Sequence, residues 1–311
     1  MTAGLRTDGM RPAGLNALAG GQAPARWLGA VVETTRPRQW PKNLLVFAAP
    51  LAGASLGRDD GLAYALVTAV AFTAASAAVY LVNDVADAGR DRRHPSKRSR
   101  AVASGRLPAT HALALAALGV VAAEAASLWI GSPALAALIG AYLALSVLYT
   151  LLLKHVPVVE LIFVASGFVL RALGGAAATH VRPSGWFLLV CSLGALLVAI
   201  AKRFTELALL GAEAASHRPV MRWYSPRFLR LSQRMATMVM ITAYLLWAYG
   251  EHDPWMRGWH LASALALGAA LARFDWLTTH EPGQPVEDLI ARDGPMVCCE
   301  LTWLVLFAVG L

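Results

Sequence analysis

The sequence predicts an all-α membrane protein, and three of its features lead to that fold class. Uncharged apolar runs of about twenty residues, the length at which a helix crosses a bilayer, recur along the chain. Hydrophobic residues make up 57% of the sequence and charged residues only 15%, and the mean hydropathy is +0.53. A soluble domain usually carries about 25% charged residues. Finally, lysine and arginine are gathered in alternate connections between the runs, as in polytopic membrane proteins.

Nine apolar runs are candidate transmembrane helices, although the first and the last are short for a crossing. They cover residues 44–57, 61–82, 110–130, 133–153, 157–178, 185–201, 231–250, 258–274 and 295–311. We expect residues 35–311 to form one bundle around a single cavity. Residues 1–34 are rich in Gly, Ala and Pro without a continuous apolar core, so they predict a flexible cytoplasmic tail.

The distribution of basic residues predicts the orientation of this bundle. With the N-terminus inside, 23 of the 27 lysines and arginines lie on the cytoplasmic side and three on the other, while Arg171 falls within a run. The positive-inside rule then predicts a cytoplasmic N-terminus and an external C-terminus. We expect the membrane to be of the bacterial inner type. The same rule accounts for the net charge of +8, so this charge does not indicate nucleic-acid binding. The three cysteines lack metal-ligand spacing and are interpreted as packing residues.

The chain enters the first run through a basic, aromatic and proline-containing segment, residues 35–43. Arg38, Gln39 and Lys42 can donate hydrogen bonds to a phosphate. The segment is equally suited to an interfacial anchor, with Trp40 at headgroup depth and the cations at the membrane surface. The residues alone leave both interpretations open.

An acidic cluster stands at the end of the second run. If the helix continues beyond residue 82, Asp84, Asp87 and Asp91 lie on one face, and Asn83 is one turn from Asp87. Three unpaired carboxylates at a membrane edge repel one another, whereas carboxylate oxygens are the ligands that Mg²⁺ takes together with phosphate oxygens. The cluster therefore predicts a magnesium-diphosphate site.

A basic stretch, residues 90–100, follows the acidic cluster at once. Such a charge run is usually solvated or faces lipid headgroups. Next to metal-binding carboxylates, however, Lys97 and Arg98 can neutralise the charge that develops on a diphosphate leaving group. Both are therefore candidate substrate ligands.

Polar residues in the middle of the chain add further candidates. Tyr149 and Lys154 stand at a predicted cytoplasmic turn. Arg171 lies within an apolar run, where a guanidinium group costs a few kcal/mol unless it is paired or hydrated. We expect it to face the cavity and bind phosphate, and the alternative is a salt bridge with Glu160 or Glu124.

The sixth run ends at a further polar group on the same predicted face: Lys202, Arg203 and Glu206. Cations at a helix end often extend to the membrane surface, and that interpretation stays open here. Because the predicted topology brings all of these segments to one side, they are expected to line one polar pocket.

Taken together, the motifs resemble those of the UbiA superfamily of intramembrane prenyltransferases, over the chain from about residue 36 to its last helix. Within it they are similar to the decaprenyl-phosphate phosphoribosyltransferase branch. The resemblance is carried by residues 36–43, the acids of 83–91, and residues 91–98, 149–154, 167–172 and 202–207. Glu160 departs from the branch, where aspartate is usual.

This resemblance implies a function. A UbiA-type bundle is expected to use Mg²⁺, held by Asp84, Asp87 and Asp91, and to transfer phosphoribose from phosphoribosyl pyrophosphate to a polyprenyl phosphate. Prenyltransferases of the superfamily usually carry a second aspartate-rich motif where this chain has Lys202, Arg203 and Glu206. These cations suit a donor with an additional 5-phosphate or an acceptor that is itself a phosphate.

Two other functions stay open at this point. A UbiA-type prenyltransferase acting on an aromatic or other small acceptor would carry a more acidic second site. A transporter or scaffold would explain the helices but not the acids beside a phosphate-binding group. The expected partners are both substrates and membrane lipids, with no nucleic acid and a possible homo-oligomer.

Overall fold

A computed structural model describes residues 26–311 except 59, 96, 154–155, 215–217 and 282–283. The regular elements in these residues are all helical, which confirms the all-α prediction. The α-helices are α1 (residues 26–35), α2 (Ala48–Ala52), α3 (Gly61–Asp91), α4 (Ala109–Ile130), α5 (Pro133–Leu151), α6 (Val159–Ala178), α7 (Gly185–Leu210), α8 (Pro226–Tyr249), α9 (Pro254–His280), α10 (Val286–Arg292) and α11 (Gly294–Val309). A 3₁₀-helix, Pro37–Phe47, joins α1 to α2.

Short polar side chains determine where several helices begin. Ser132, Ser184 and Ser225 each accept a hydrogen bond from a backbone N–H in the first turn of α5, α7 and α8. Asp253 and Asp293 do the same for α9 and α11. Proline stands in the first turn of four of these five helices, where its missing N–H removes no helical hydrogen bond.

Six of the described helices are long and apolar enough to cross a membrane: α3, α4, α5, α6, α7 and α9. The predicted count of nine is not confirmed. The first predicted run is divided between a 3₁₀-helix and α2, and α11 is apolar but only 16 residues long. The run predicted at 231–250 belongs to α8, which has 24 residues but carries Arg227, Arg230 and Arg234 in its first turns.

The described end of the predicted tail is packed against the bundle. Residues 26–35 are helical, Ala30 is completely buried, and the Trp27 ring contacts the His111 ring of α4 edge-on. Residues 26–34 therefore belong to the folded domain, and residues 1–25 of the predicted tail lie outside the described residues.

The 3₁₀-helix passes through the bundle between α3 and α6. Pro41 lies within it and has no N–H to donate. Its Val46 side chain is buried in a core cluster with Phe72 of α3 and Leu135 of α5. Close approach to α6 depends on Gly175, because a Cβ atom there would lie 1.8 Å from the carbonyl oxygen of Val46.

This contact gives a first prediction. Gly175→Ala should lower the free energy of unfolding by about 3 kcal/mol, because the new methyl group forces two backbones apart. Gly140→Ala in α5 is the matched control, since a Cβ atom there meets nothing within 4 Å, and alanine favours helix. Thermal unfolding in detergent measures both. Equal melting temperatures for the two variants would contradict the close packing described here.

Candidate active site

Two carboxylates of the acidic cluster meet one guanidinium group at the end of α3. Asp84 and Asp91 are both buried. The Nη1 atom of Arg100 lies 2.8 Å from Asp91 Oδ2 and 3.6 Å from Asp84 Oδ1. Arg36 Nη2 also donates to Asp84 Oδ1 at 2.7 Å, and its guanidinium carbon lies 4.6 Å from the centre of the Tyr80 ring. The expectation that Asp84 and Asp91 share a helix face agrees with this geometry.

The other members of the acidic cluster are more accessible. Asp87 is half-buried and pairs with Arg90 in the next turn of the same helix, and Asn83 is also half-buried. In the part of the chain that the structure describes, no three His, Cys, Asp or Glu side chains stand close enough together to hold a metal ion. The set still fits a hard cation chemically, because two buried carboxylates already converge on one positive group.

A second cluster, which we call the lysine pair (Lys42 and Lys202), meets at a single carboxylate. Glu287 Oε1 lies 2.7 Å from Lys202 Nζ and 2.9 Å from Lys42 Nζ. Burial alone raises the pKa of Glu287, but the ammonium groups of Lys202 and Lys42 lower it to about 2. Burial and the like charge of Lys202 lower the pKa of Lys42 to about 8, against the opposing effect of Glu287. Gln39 also accepts a hydrogen bond from Lys42.

A third cluster surrounds Glu160, which is completely buried at the start of α6. Its carboxylate accepts hydrogen bonds from Arg203 Nε at 2.6 Å and Nη2 at 2.9 Å. Arg203 Nη1 also donates to Glu206 at 2.7 Å. Arg218 Nη1 reaches the Tyr149 hydroxyl at 2.9 Å and Glu160 at 3.4 Å. The structure thus brings Arg218, which was not among the predicted site residues, together with Glu160, Arg203, Glu206 and Tyr149.

Arg171 lies apart from the carboxylates in a network of neutral acceptors. Its Nε donates to Asn43 at 2.6 Å and its Nη1 to the carbonyl of Gly167 at 2.5 Å. Its Nη2 donates to the hydroxyls of Ser76 and Tyr142 at 3.2 and 3.1 Å. These bonds join the 3₁₀-helix to α3, α5 and α6. They give Arg171 a role in holding the bundle together, and phosphate binding by Arg171 stays a prediction.

The remaining candidates lie at the surface of the described chain. Arg38, Lys97 and Arg98 are exposed. They are therefore accessible to a ligand, but they belong neither to the lysine pair nor to the acidic cluster. Lys154 lies outside the described residues.

Comparison with known proteins identifies the family. The sequence model of the UbiA prenyltransferase family matches residues 44–286. The chain belongs to this family. The resemblance seen in the sequence motifs is confirmed. Because six helices in the described part of the chain are apolar and long enough to cross a bilayer, this UbiA member is an integral membrane protein.

Similar proteins are found both by sequence and by fold. The decaprenyl-phosphate phosphoribosyltransferase of Mycobacterium tuberculosis is 37% identical over 91% of this chain and 94% of its own. The enzyme of the same name from Corynebacterium glutamicum is 34% identical over 91% of this chain and 87% of its own. A UbiA homologue from Archaeoglobus fulgidus, solved with GPP and Mg²⁺, has a TM-score of 0.68 at 13% identity. It covers 90% of this chain and 98% of its own, and at that identity it supports the UbiA fold alone.

The structure adds residues to this UbiA site that the sequence motifs did not assign. Arg36 and Arg100 pair with the acids, Glu287 joins the lysine pair, and Arg218 reaches Glu160. Arg36 has a positive φ of 54°, which is rare for a residue other than glycine, but this feature can be seen only in the structure. Glu287 stands in an acidic segment before the last helix, so its composition could have suggested a partner for the cations.

Proposed function

We propose that this UbiA member transfers a 5-phosphoribosyl group from phosphoribosyl pyrophosphate to a polyprenyl phosphate of decaprenyl type, with release of diphosphate. The similarity to the two decaprenyl-phosphate phosphoribosyltransferases supports the choice of substrates. The structural observation that carries the proposal is the lysine pair. Lys42 lies within the 3₁₀-helix Pro37–Phe47, and Arg36, the partner of Asp84, immediately precedes that helix. A site of this kind offers carboxylates for a metal-bound diphosphate and, separately, ammonium groups for another phosphate.

The reaction exchanges one C–O bond for another at C1 of the ribose. The bond from C1 to the diphosphate oxygen breaks, and diphosphate leaves with the electron pair. A phosphate oxygen of the lipid forms the new bond to C1 and supplies its own electron pair. By analogy with glycosyl transfer, the transition state has oxocarbenium character.

Asp84, Asp87 and Asp91 are the residues that would hold Mg²⁺, with Asn83 orienting the set. When bound, this ion neutralises charge on the diphosphate as it leaves. Arg36 and Arg100 balance the carboxylate charges in its vicinity. The bound ion leaves part of the diphosphate charge, and accessible basic side chains neutralise this part. The candidates are Lys97, Arg98 and Arg38.

The acceptor needs little chemical activation. At neutral pH its phosphate oxygen is largely anionic, so no dedicated base is required, and positioning carries most of the rate. Arg203 and Glu206 are held by Glu160 and Arg218 near the end of α7, where Tyr149 joins them. In this proposal the Glu160 cluster forms the acceptor side of the pocket on the cytoplasmic face, and the lipid tail lies between helices.

The test is transfer of label from phosphoribosyl pyrophosphate to a polyprenyl phosphate by the purified protein with Mg²⁺. A labelled lipid product that forms about 10³-fold more slowly with Asp84→Asn supports the proposal. Geranyl diphosphate with a small aromatic acceptor provides the comparison. Product formed only from the prenyl diphosphate would assign the chain to prenyl transfer and overturn the phosphoribosyl assignment.

The lysine pair predicts how this activity depends on pH. For the wild type, kcat/KM for phosphoribosyl pyrophosphate should fall as pH rises through about 8, because Lys42 loses its proton there. Below that pH Lys42 is charged and binds the donor phosphate, with Lys202 and Glu287 as its charged neighbours. Since kcat/KM reports groups of the free enzyme, a pH profile at low donor concentration is the measurement.

Lys42→Arg is the matched variant for this profile, since a guanidinium stays charged above pH 12. It should retain activity at pH 7 within about tenfold and lose the decline near pH 8. A decline of the same position and depth in both proteins would exclude Lys42 as the titrating group.

A further inference from the structure

Glu287 lies in the short helix α10, outside the long apolar helices, and yet it pairs with two lysines of the candidate site. It reaches the lysine pair from α10, while its neighbours Val286 and Leu289 are buried against α9 in a core cluster with Phe274 and Leu277. The apolar side of α10 therefore attaches the helix to the bundle, and its polar side closes over the two ammonium groups. The three side chains are partly open to solvent, with exposed fractions of 19% for Lys42, 22% for Lys202 and 33% for Glu287.

The charges in this cluster do not balance. Two ammonium groups face one carboxylate, so the cluster keeps one positive charge, and each lysine shares the same oxygen, Glu287 Oε1. A phosphate monoester carries close to two negative charges near neutral pH and has three terminal oxygens. It can therefore give each lysine its own oxygen and neutralise both, which the single carboxylate does not.

We propose that Glu287 is a displaceable anion that fills the phosphate-binding site of Lys42 and Lys202, and that the 5-phosphate of the donor replaces it there. This inference rests on the proposed function and deepens it. Binding of the donor then releases α10 from the lysines, so the helix reports whether the phosphate site is filled. A prenyl diphosphate has no second phosphate group: when its diphosphate lies at the acidic cluster, nothing is left to replace Glu287, so the lysine pair also contributes to the choice of donor.

The experiment measures binding of ribose 5-phosphate to the full chain in detergent by titration calorimetry, without acceptor lipid. Glu287→Gln should bind it about tenfold more tightly than the wild type, since the competing charge is gone. Lys202→Gln should bind it at least about thirtyfold more weakly, because one of the two ammonium groups is lost. Asp288→Asn is the matched control: it removes a carboxylate from the same helix, where Asp288 pairs with Arg292 and not with the lysines. It should bind as the wild type does.

Other outcomes would overturn the inference. Weaker binding by Glu287→Gln would make Glu287 an organiser of the lysines instead of a competitor. An equal gain in Asp288→Asn would reduce the effect to general charge. A gain for inorganic diphosphate but none for ribose 5-phosphate would assign the lysine pair to the leaving group.

A second measurement follows α10 in the wild type, so it does not depend on a variant folding. Amide hydrogen exchange of residues 286–292 should become faster when ribose 5-phosphate is added and stay unchanged with geranyl diphosphate. Unchanged exchange with both ligands would exclude displacement of Glu287. These assays need no transfer reaction. If the wild type bound ribose 5-phosphate in this way but produced no phosphoribosyl lipid, the proposed function would fail while the site assignment stood.

Discussion

Asp84→Asn should lower kcat for phosphoribosyl transfer by about 10³-fold, because the reaction depends on neutralising the leaving diphosphate. Asp84 is buried and lies within reach of both Arg36 and Arg100. Asparagine keeps its shape and can still accept the hydrogen bond from Arg36, so the variant removes charge with little change in packing. Initial rates at saturating concentrations of both substrates give the comparison.

Variants of the other two aspartates should lose different amounts of kcat. Asp91→Asn should lose a similar amount, since Asp91 shares Arg100 with Asp84. Asp87→Asn should lose only about tenfold, because Asp87 is more exposed and pairs within its own helix. Asp288→Asn, from the surface of α10, should retain the wild-type rate.

The dependence on Mg²⁺ separates a metal ligand from a structural partner. If Asp84 binds the ion, the Mg²⁺ concentration for half-maximal rate should rise in Asp84→Asn, and some of the rate should return at high Mg²⁺. A reduced rate with the wild-type Mg²⁺ dependence would instead assign Asp84 to holding Arg36 in place.

The parts of the fold that follow a local pattern could be predicted from the sequence. A continuous apolar run leading into Asp84, Asp87 and Asp91 requires only that a helix continue, and α3 does continue to Asp91. The first run was harder to predict because its beginning, up to Phe47, belongs to a 3₁₀-helix that starts at Pro37, before the apolar residues. Hydropathy therefore indicated that this segment lies in the bundle but not its 3₁₀ geometry.

Charge partners that are distant in the chain could not be predicted from spacing. Glu287 is 85 residues from Lys202, and Glu160 is 43 residues from Arg203. Arg171 shows the same limit. Because burying a guanidinium group is costly, the sequence predicted that Arg171 has hydrogen-bond partners. The neighbouring sequence did not show whether these partners are Glu160 or the neutral acceptors, such as Asn43, that Arg171 contacts in the fold.

Glu160→Gln should lower the free energy of unfolding by about 3–5 kcal/mol, the usual cost of leaving one member of a buried ion pair without its partner. Glu160 has no exposed surface, and Arg203 is also buried. The amide cannot supply two anionic oxygens to Nε and Nη2 of Arg203. The remaining anionic partner of Arg203 would be Glu206, which is only half-buried. Thermal unfolding in detergent should show the loss, and Glu160→Asp, one methylene shorter, should fall between wild type and Gln.

Glu206→Gln is the control, because it removes a negative charge that pairs with the same arginine, Arg203, without removing the buried carboxylate. It should cost about 1 kcal/mol or less, because its carboxylate is partly solvated and Arg203 keeps both bonds to Glu160. Similar losses in Glu206→Gln and Glu160→Gln would contradict the special weight given to the buried pair.

A double variant shows what the buried pair contributes beyond stability. Replacing Glu160 and Arg203 together by methionine removes both charges, so no unpaired ion stays buried, and much of the lost stability should return. Arg218 would still lose Glu160 but keep Tyr149 as a partner. If the double variant is stable but inactive, the pair contributes to function beyond stability, either because Arg203 binds substrate or because the pair positions the end of α7 and the segment carrying Arg218. If it is stable and active, Arg203 has no part in binding substrate, and its assignment to the acceptor side of the pocket fails.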